Sequence, residues 1–369
     1  MNDAHRERQN RLLEKSEGLP FLIFDLDRTM PPNMDQVSLR YLTGYTGEGA
    51  LLITPDEPVL FTDSRYLEQA EREVPQIRLV HAEDDYMDDM ASEFARLGVK
   101  RLGYASWRAT DFVVRALGQR TGVETVAFKD PVSELRACKD AVELAALRRA
   151  AEISEAALLD LLPTVKAGDN EVEIAERFVA LMKEHGGQPR GAEPVVASGP
   201  NSALPHYRPS LGRRTVQEGD LLLFDFCVLI DGYHSDISRT VVVGRASDKQ
   251  REVYRLVNEA LNVGLSCLRA GAKGCDIHRA ASRVIEDSPY AKDIFLSPLG
   301  HGVGLEVHEA PRMGLQMDEV VQAGMVVTVE PGIYIPGYGG VRIEEMAVIT
   351  ETGYELLSSS PRAELAELV

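Results

Sequence analysis

The feature that most constrains the fold is an internal repeat in the second part of the chain. The segment AGDNEVEI, which begins at Ala167, returns as AGAKGCDI from Ala270, 103 residues later. The segment VQEGDLLLFD, which begins at Val216, returns as VQAGMVVTVE from Val321, 105 residues later. Two matches in the same order and at nearly the same offset indicate two similar halves, each with helices, a glycine-rich turn and paired strands. We expect them to pack about a pseudo-twofold axis as one α+β domain.

A different pattern precedes the repeat, in which short apolar runs alternate with helical patterns. The predicted strands are Phe21–Phe24, Ala50–Thr54, Pro58–Thr62, Ile77–Val80 and Arg101–Ala105, and the predicted helices are Ser64–Glu73, Tyr86–Leu97 and Asp111–Arg120. This alternation predicts an α/β domain over residues 1–131. A long helical stretch, near Lys139–Leu162, then opens a second domain over residues 139–369.

Charge and cysteine content exclude several classes of protein. The formal charge of −18 over 369 residues argues against a nucleic-acid partner, because binding to phosphates needs a basic surface. The four cysteines form no CxxC pair and are interpreted as free thiols in a reducing compartment. The N-terminal sequence MNDAHRERQNRLLEK lacks the apolar core of a signal peptide, and no apolar run reaches the length of a membrane span. We therefore expect a cytoplasmic protein that does not bind membranes.

Superposing the two halves of the repeat makes acidic residues and histidines coincide. The coinciding pairs are Asp225 with Glu330, Asp236 with Glu344, and His206 with His301. Asp225 and Glu330 end apolar runs, LLLFD and VVTVE, that are typical of buried strands. Buried carboxylates that lie close together repel one another unless something neutralises them. Each half therefore contributes one histidine and two carboxylates to a set that needs positive charge.

Protons could neutralise such a set, but two divalent cations would do so better and would bring hydrolytic chemistry. Carboxylates and imidazole suit Mn, Co, Fe or Zn, and the lack of thiolates argues against a structural zinc site. A turn at Asp231–Gly232 would fold Asp225 back towards Asp236, so that both could bind the same ions. Taken singly, either aspartate could instead be a solvent-facing or capping residue, and His301 could be a structural histidine.

At these residues the sequence resembles the pita-bread metallopeptidases, which include aminopeptidase P, prolidase and methionine aminopeptidase, with creatinase as a non-metal relative. The motifs that carry the resemblance are SGPNSALPHY, DGYHSDISRT, GHGVGLEVHE, TVEPGIY and GGVRIEE. The earlier stretch YLTGYTGEGALLIT is similar to the extra N-terminal domain of the proline-directed branch. The resemblance implies a creatinase-like α/β domain followed by a pita-bread catalytic domain.

The resemblance also implies a set of metal ligands. Members of the family hold two metal ions with an aspartate, a second aspartate eleven residues later, a histidine and two glutamates. In this sequence the matching residues are Asp225, Asp236, His301, Glu330 and Glu344. We expect two divalent ions per chain, with Mn, Co, Zn and Fe all left open. Two departures are visible, since Cys227 stands where the family often has glycine and Glu345 where it usually has aspartate.

By the same resemblance, Glu330 would also accept a proton from the attacking water. His206 and His308 would not bind metal but would hydrogen-bond the substrate and its developing oxyanion. The candidate substrate-binding residues are Tyr207, Tyr233, Arg312 and Arg342. Arg312 could meet the free carboxylate of a short substrate or could simply be solvated. Arg342 could orient the carboxylates or could form a plain structural ion pair.

The expected activity is hydrolysis of the peptide bond before proline in short peptides. The compact chain favours a dipeptidase like prolidase, and an aminopeptidase P that acts on longer peptides is the alternative. A non-catalytic scaffold of the same fold is a third hypothesis, although all five ligand positions are retained. The expected partners are peptides with proline in the second position and a second copy of the chain in a homodimer.

Overall fold

The computed structural model describes residues 3–24, 37–82, 86–189, 193–293 and 298–368. The chain divides into two units, Met1–Arg136 and Ala137–Val369. Among the helices that these ranges contain, none is both long enough and apolar enough to span a membrane.

The first unit is an α/β domain built on a mixed six-stranded sheet. Its elements are α1 (Asp3–Lys15), β1 (Phe21–Ile23), α2 (Val37–Thr43), β2 (Ala50–Ile53), β3 (Val59–Thr62), α3 (Leu67–Glu73), β4 (Arg78–His81), α4 (Tyr86–Leu97), β5 (Arg101–Ala105), α5 (Asp111–Thr121), β6 (Glu124–Phe128) and α6 (Pro131–Ala137). The strand order is β4-β3-β2-β1-β5-β6, and β2 runs antiparallel to both of its neighbours while the other pairs are parallel.

The strands of this sheet explain why the α/β pattern was readable in the sequence. Every residue of β1, β2 and β3 is buried, so these strands appear as continuous apolar runs. The helix predicted from Ser64 begins at Leu67. The α/β class predicted for the first part of the chain is confirmed.

The second unit contains the repeat. Its helices are α7 (Ala141–Leu161), α8 (Glu171–Glu184), α9 (Pro209–Gly212), α10 (Asp248–Ser266) and α11 (Gly274–Glu286), with short 3-10 turns at Leu162–Thr164, Gly199–Ala203 and Ala291–Asp293. Its strands are β7 (Gln188–Pro189), β8 (Val195–Ser198), β9 (Leu221–Phe226), β10 (Val228–Ile230), β11 (Tyr233–His234), β12 (Ile237–Val243), β13 (Gly300–Gly302), β14 (Glu309–Met313), β15 (Val326–Val329), β16 (Gly332–Ile335), β17 (Gly339–Arg342), β18 (Glu345–Ile349), β19 (Tyr354–Leu356) and β20 (Glu367–Leu368).

Three antiparallel strands in each of two sheets of this unit reproduce the repeat. One has the order β20-β12-β9-β8 and the other the order β14-β13-β15-β18-β19. The antiparallel set β8-β9-β12 in the first half corresponds to the antiparallel set β13-β15-β18 in the second. The two halves therefore place their strand side chains on similar three-stranded antiparallel sheets.

Equivalent hydrogen bonds also recur at the offset found in the sequence. The backbone N–H of Gly168 donates to the carbonyl of Val216 at 2.9 Å, and the N–H of Gly271 donates to the carbonyl of Val321 at 2.9 Å. Both glycines have positive φ, 96° and 86°, a conformation that favours glycine. The predicted repeat is confirmed in the backbone contacts as well as in the sequence.

A buried ion pair ties the beginning of the second unit to its second half. Lys139 Nζ lies 2.7 Å from Glu309 Oε1, and each side chain is 1% exposed. Lys139 Nζ also donates to the carbonyl of Ala137, and the Lys139 backbone N–H donates to Gly324. Because Glu309 directly follows His308 in the chain, this pair fixes the turn that carries His308.

The pair leads to a prediction about stability. Lys139→Met should lower the free energy of unfolding by about 3–5 kcal/mol, because the Glu309 carboxylate is left buried without its cation. Urea denaturation measures this loss. The exposed Lys166 supplies a matched control, and Lys166→Met should stay within about 0.5 kcal/mol of the unaltered protein. Equal midpoints for the two variants would contradict the assignment.

Candidate metal centre

The first two candidate ligands are brought together by a pair of antiparallel strands. Asp225 lies in β9 and pairs with Ser238 of β12, two residues beyond Asp236. The chain returns through the turn at Asp231–Gly232, where φ is +50° and +81°. Two positive φ values in succession suit the tight turns that join antiparallel strands. Carboxylate oxygens of Asp225, Asp236 and Glu344 consequently lie within 4.8 Å of one another.

The second half supplies the other candidate ligands. His301 is in β13, Glu330 directly follows β15, and Glu344 lies between β17 and β18. Ligand atoms of these three residues also lie within 4.8 Å of one another, so Glu344 belongs to both groups. The Nδ1 of His301 bonds the carbonyl of Gly302 at 3.0 Å. This bond leaves Nε2 facing Glu330 at 3.3 Å and Asp236 at 3.6 Å.

Burial gives this group of side chains unusual acid–base properties. Burial and the negative charge of Asp225 raise the pKa of Asp236 to about 8. Burial also raises the pKa of Asp225, although Arg342 acts against it, and raises the pKa of Glu344 well above its usual range. Burial alone would lower the pKa of His301, but the bond to Glu330 and the charge of Asp236 raise it to about 9. The pocket therefore favours added positive charge.

The donor set fits divalent cations. Asp236, His301 and Glu344 are 8%, 7% and 2% exposed, and their donors are carboxylate oxygens and one imidazole nitrogen. Such ligands suit Mn, Fe, Co and Zn, and a cation would offset both the burial and the mutual repulsion that raise the carboxyl pKa values.

His308, which the sequence predicts to face the substrate, lies close enough to the candidate metal ligands to bind a metal ion itself. Ligand atoms of Asp236, His301 and His308 lie within 4.8 Å of one another. The rings of His301 and His308 meet edge to face, with centroids 4.3 Å apart. His206 is not part of the groups found among the described residues, but it lines the same cavity.

Arg342 contacts several of the groups that hold the carboxylates in place. Its guanidinium donates to Asp225 Oδ2 at 2.6 Å, to Ser238 Oγ at 2.8 Å and to the Tyr334 hydroxyl at 2.7 Å. The Ser238 hydroxyl in turn donates to Glu344 Oε2 at 2.7 Å. Arg342 is 3% exposed, and these contacts favour a role in orienting the carboxylates over contact with substrate.

The other predicted substrate-binding residues separate into two groups. One group lines the cavity that also contains the candidate carboxylate ligands, and it consists of His206, Tyr207, His308 and Arg312, together with Cys227. Tyr233 lies outside that lining, and its hydroxyl donates to Glu143 of α7 at 2.9 Å. The structure thus brings together all of these candidates except Tyr233.

Sequence reasoning missed three residues that support the site. Ser238 bridges Arg342 and Glu344, Tyr334 bonds Arg342, and the buried Glu171 accepts a hydrogen bond from Tyr207. Ser238 could have been found, because β12 begins directly after Asp236 and Ser238 stands two residues further on, where an extended chain directs side chains to the same face. Tyr334 stands in TVEPGIY, one of the motifs already singled out.

Known proteins share both parts of this chain. Residues 145–351 match the model of metallopeptidase family M24, and residues 27–138 match the creatinase/prolidase N-terminal domain. An Xaa-Pro dipeptidase of Pyrococcus furiosus is 33% identical over 332 residues, which cover 88% of this chain and 92% of that protein.

Solved structures agree with the sequence comparison. The Xaa-Pro dipeptidase from Bacillus anthracis superposes with a TM-score of 0.90 at 33% identity, covering 98% of this chain and 99% of that one. The X-Pro aminopeptidase from Thermotoga maritima superposes with a TM-score of 0.87 at 33% identity, covering 96% and 99%. The expected two-domain fold, with a pita-bread catalytic unit, is confirmed. The chain therefore belongs to metallopeptidase family M24 and carries a creatinase/prolidase N-terminal domain ahead of its peptidase domain.

Proposed function

We propose that the protein is a two-metal Xaa-Pro dipeptidase, which hydrolyses the bond before proline in dipeptides. The observation that carries the proposal is the overlap of two ligand groups at Glu344, one with Asp225 and Asp236 and the other with His301 and Glu330. Two groups that share a carboxylate suit two neighbouring cations. The full-length similarity to an Xaa-Pro dipeptidase supports the substrate class.

Asp225, Asp236, His301, Glu330 and Glu344 would hold the ions, for which Mn, Co, Zn and Fe are all compatible with the donors. When bound, the ions supply an acidified water and positive charge at the substrate carbonyl. Glu330 is a suitable proton acceptor, because its side chain is the more open of the two glutamates, at 24% exposure, and reaches the cavity.

The two histidines that remain would act on the substrate. His206 and His308 are both exposed and both line the cavity, on loops that follow β8 and precede β14. Imidazole N–H groups in these positions can donate to the peptide carbonyl and to the oxyanion that develops from it. Arg342 would keep Asp225 in place during the reaction through their 2.6 Å bond.

Proline as the second residue sets a particular recognition problem. Its nitrogen carries no hydrogen in a peptide bond and its φ is fixed, so a site cannot hold it through an amide N–H. The site must recognise the ring and, in a dipeptide, the free carboxylate. Arg312 lies in the cavity lining and is exposed, which makes it the candidate partner of that carboxylate.

An aminopeptidase that acts on longer Xaa-Pro peptides is the second candidate. The observation that favours it is the similarity to the X-Pro aminopeptidase structure, which covers 96% of this chain with a TM-score of 0.87. We further propose a cytoplasmic homodimer, in which the N-terminal domain contributes to assembly. A mass near the 40.6 kDa of one chain in light scattering would remove the dimer.

Metal removal should destabilise the protein more as the pH rises. The pKa of Asp236 is about 8 in the folded chain against an ordinary 3.8, so rising pH favours the unfolded state across that interval. The pKa of His301 is about 9 against an ordinary 6.5, so its contribution to stability is also lost as pH rises between those values. The melting temperature in chelator should fall from pH 6 to pH 8.5, and added Mn²⁺ should raise it more at pH 8.5. A larger metal effect at pH 6 would contradict the assignment.

Variants should separate metal ligands from substrate-facing histidines. Asp225→Asn and Glu330→Gln should lose bound metal and activity together, because each removes an anionic ligand. His206→Ala and His308→Ala should lower kcat by about a hundredfold while metal content stays near two equivalents per chain. Elemental analysis of Mn- or Co-loaded protein measures the content. Loss of metal in His308→Ala would make His308 a ligand, which its place beside Asp236 and His301 allows.

Substrate length gives the test of the dipeptidase assignment. Xaa-Pro dipeptides should be cleaved with a higher kcat/KM than the corresponding Xaa-Pro-Xaa tripeptides, and Arg312→Ala should narrow the difference by raising KM for dipeptides. Removing one charge-assisted contact should change kcat/KM by about tenfold or more. Faster cleavage of tripeptides than of dipeptides would favour the aminopeptidase. Cleavage of Xaa-Ala dipeptides as fast as that of Xaa-Pro dipeptides would contradict the proposed specificity for proline.

A further inference from the structure

A single buried carboxylate organises the loop that carries His206. Glu171 is the first residue of α8 and its side chain is fully buried. Its Oε1 accepts from the backbone N–H of Ser198 at 2.6 Å and from the Ser198 hydroxyl at 2.7 Å. Its Oε2 accepts from Asn201 at 3.0 Å and from the Tyr207 hydroxyl at 2.8 Å. Both oxygens therefore bind the segment Ser198–Tyr207, about thirty residues further along the chain.

The same loop is held from its other side by the metal-centre strands. Arg342 donates to the carbonyl of Pro205 at 3.1 Å while it also binds Asp225. The backbone N–H of Gly340 donates to Ser202 Oγ at 2.8 Å. The residues on both sides of His206 are thus fixed, Pro205 by Arg342 and Tyr207 by Glu171. The imidazole of His206 itself remains exposed in the cavity.

The other half of the repeat shows that this carboxylate is not required by the repeated architecture. The residue 103 positions after Glu171 is Gly274, where an added Cβ would lie 2.7 Å from the carbonyl oxygen of Arg312. In that half a different side chain holds the corresponding loop, since Nδ1 of His278 accepts from the backbone N–H of Leu299 at 3.2 Å. Glu171 is therefore specific to the half that presents His206.

We propose that Glu171 is a positioning residue for peptide hydrolysis, acting on the reaction by holding the Ser198–Tyr207 loop so that His206 faces the substrate. The inference rests on the proposed function, because His206 receives its substrate-facing role there. In the contacts described, Glu171 touches no candidate ligand, and Tyr207 is its one partner in the cavity lining. Because the Tyr207 hydroxyl is bound to Glu171, the effect of Glu171 should pass through the loop that presents His206 and leave metal binding unchanged.

A double-mutant cycle tests this coupling. Glu171→Gln keeps the shape of the side chain but replaces one acceptor oxygen with a donor, which opposes the donors of Asn201 and Tyr207 or of Ser198. It should lower kcat on an Xaa-Pro dipeptide by about tenfold or more, with metal content unchanged. In a His206→Ala background the same substitution should change kcat by less than about twofold, because the positioned group is already absent. Glu173→Gln, on the exposed side of the same helix, is the matched control and should keep full activity.

Three results would overturn the proposal: full activity in Glu171→Gln, an equal loss with and without His206, or loss of metal. Should Glu171→Gln not fold, Asn201→Ala removes the hydrogen bonds from Asn201 to Glu171 and enters the same cycle with a smaller effect. Histidine NMR gives a reading that is independent of activity. Glu171→Gln should shift or broaden the His206 resonance and leave that of His185, which bonds Asp160, unchanged. An inactive parent protein with a shifted His206 resonance would overturn the proposed function and retain the positioning role, whereas an unmoved resonance would overturn the positioning role alone.

Discussion

Mutual repulsion among buried carboxylates is the constraint on which the second unit depends. Asp225, Asp236, Glu330 and Glu344 face one small region, where burial and the charges of neighbouring carboxylates raise the pKa values of Asp225, Asp236 and Glu344. A fold can keep such a set only if its backbone is fixed independently of the site. The paired strands of both halves provide that fixed backbone, and cations provide the charge that the set lacks.

Buried arginines complete the rigid surroundings. Arg342 binds Asp225 and Ser238, and through Ser238 it reaches Glu344. Arg239 donates to the backbone carbonyl of Glu344 at 2.6 Å and to the carboxylate of Glu345 at 2.9 Å. Each arginine thereby holds a neighbouring carboxylate in one orientation. A planar guanidinium with several donors suits this task better than an ammonium group would.

The sequence predicted the features that follow from local periodicity and from the repeat. Five of the six strands of the first unit, the two similar halves and the region shared by the candidate ligands are of this kind, because each depends on residues that stand in apolar runs or at their ends. Strand β6 was not predicted, and none of its residues is buried. Helix α1 was missed, because Arg8 and Gln9 hold it through hydrogen bonds to the carbonyls of Tyr41 and Leu42 and not through an apolar stripe.

Contacts between residues far apart in the sequence account for the other differences between the predictions and the structure. Glu171 binds a loop whose residues stand 27 to 36 positions away, and no local pattern marks a carboxylate for that task. The sequence predicts Tyr233 as a substrate-binding residue, but its hydroxyl donates to Glu143, on a helix 90 residues earlier. The position of a residue within a motif predicts which segment approaches a site. The direction of its side chain depends on the hydrogen-bond partner that the folded structure brings near it.

The repeat has a consequence for how a peptide can be oriented. Two equivalent halves present histidine and carboxylate groups from both sides, and a frame with that symmetry offers a peptide no difference between its amino end and its carboxyl end. Polarity has to come from positions at which the halves have diverged. Glu171 against Gly274 is one such position, and Tyr207, which follows β8, and Arg312, which lies in β14, belong to opposite halves. The duplicated strands thus bring the candidate ligands together, and any preference for one direction of a peptide has to come from the side chains that differ between the halves.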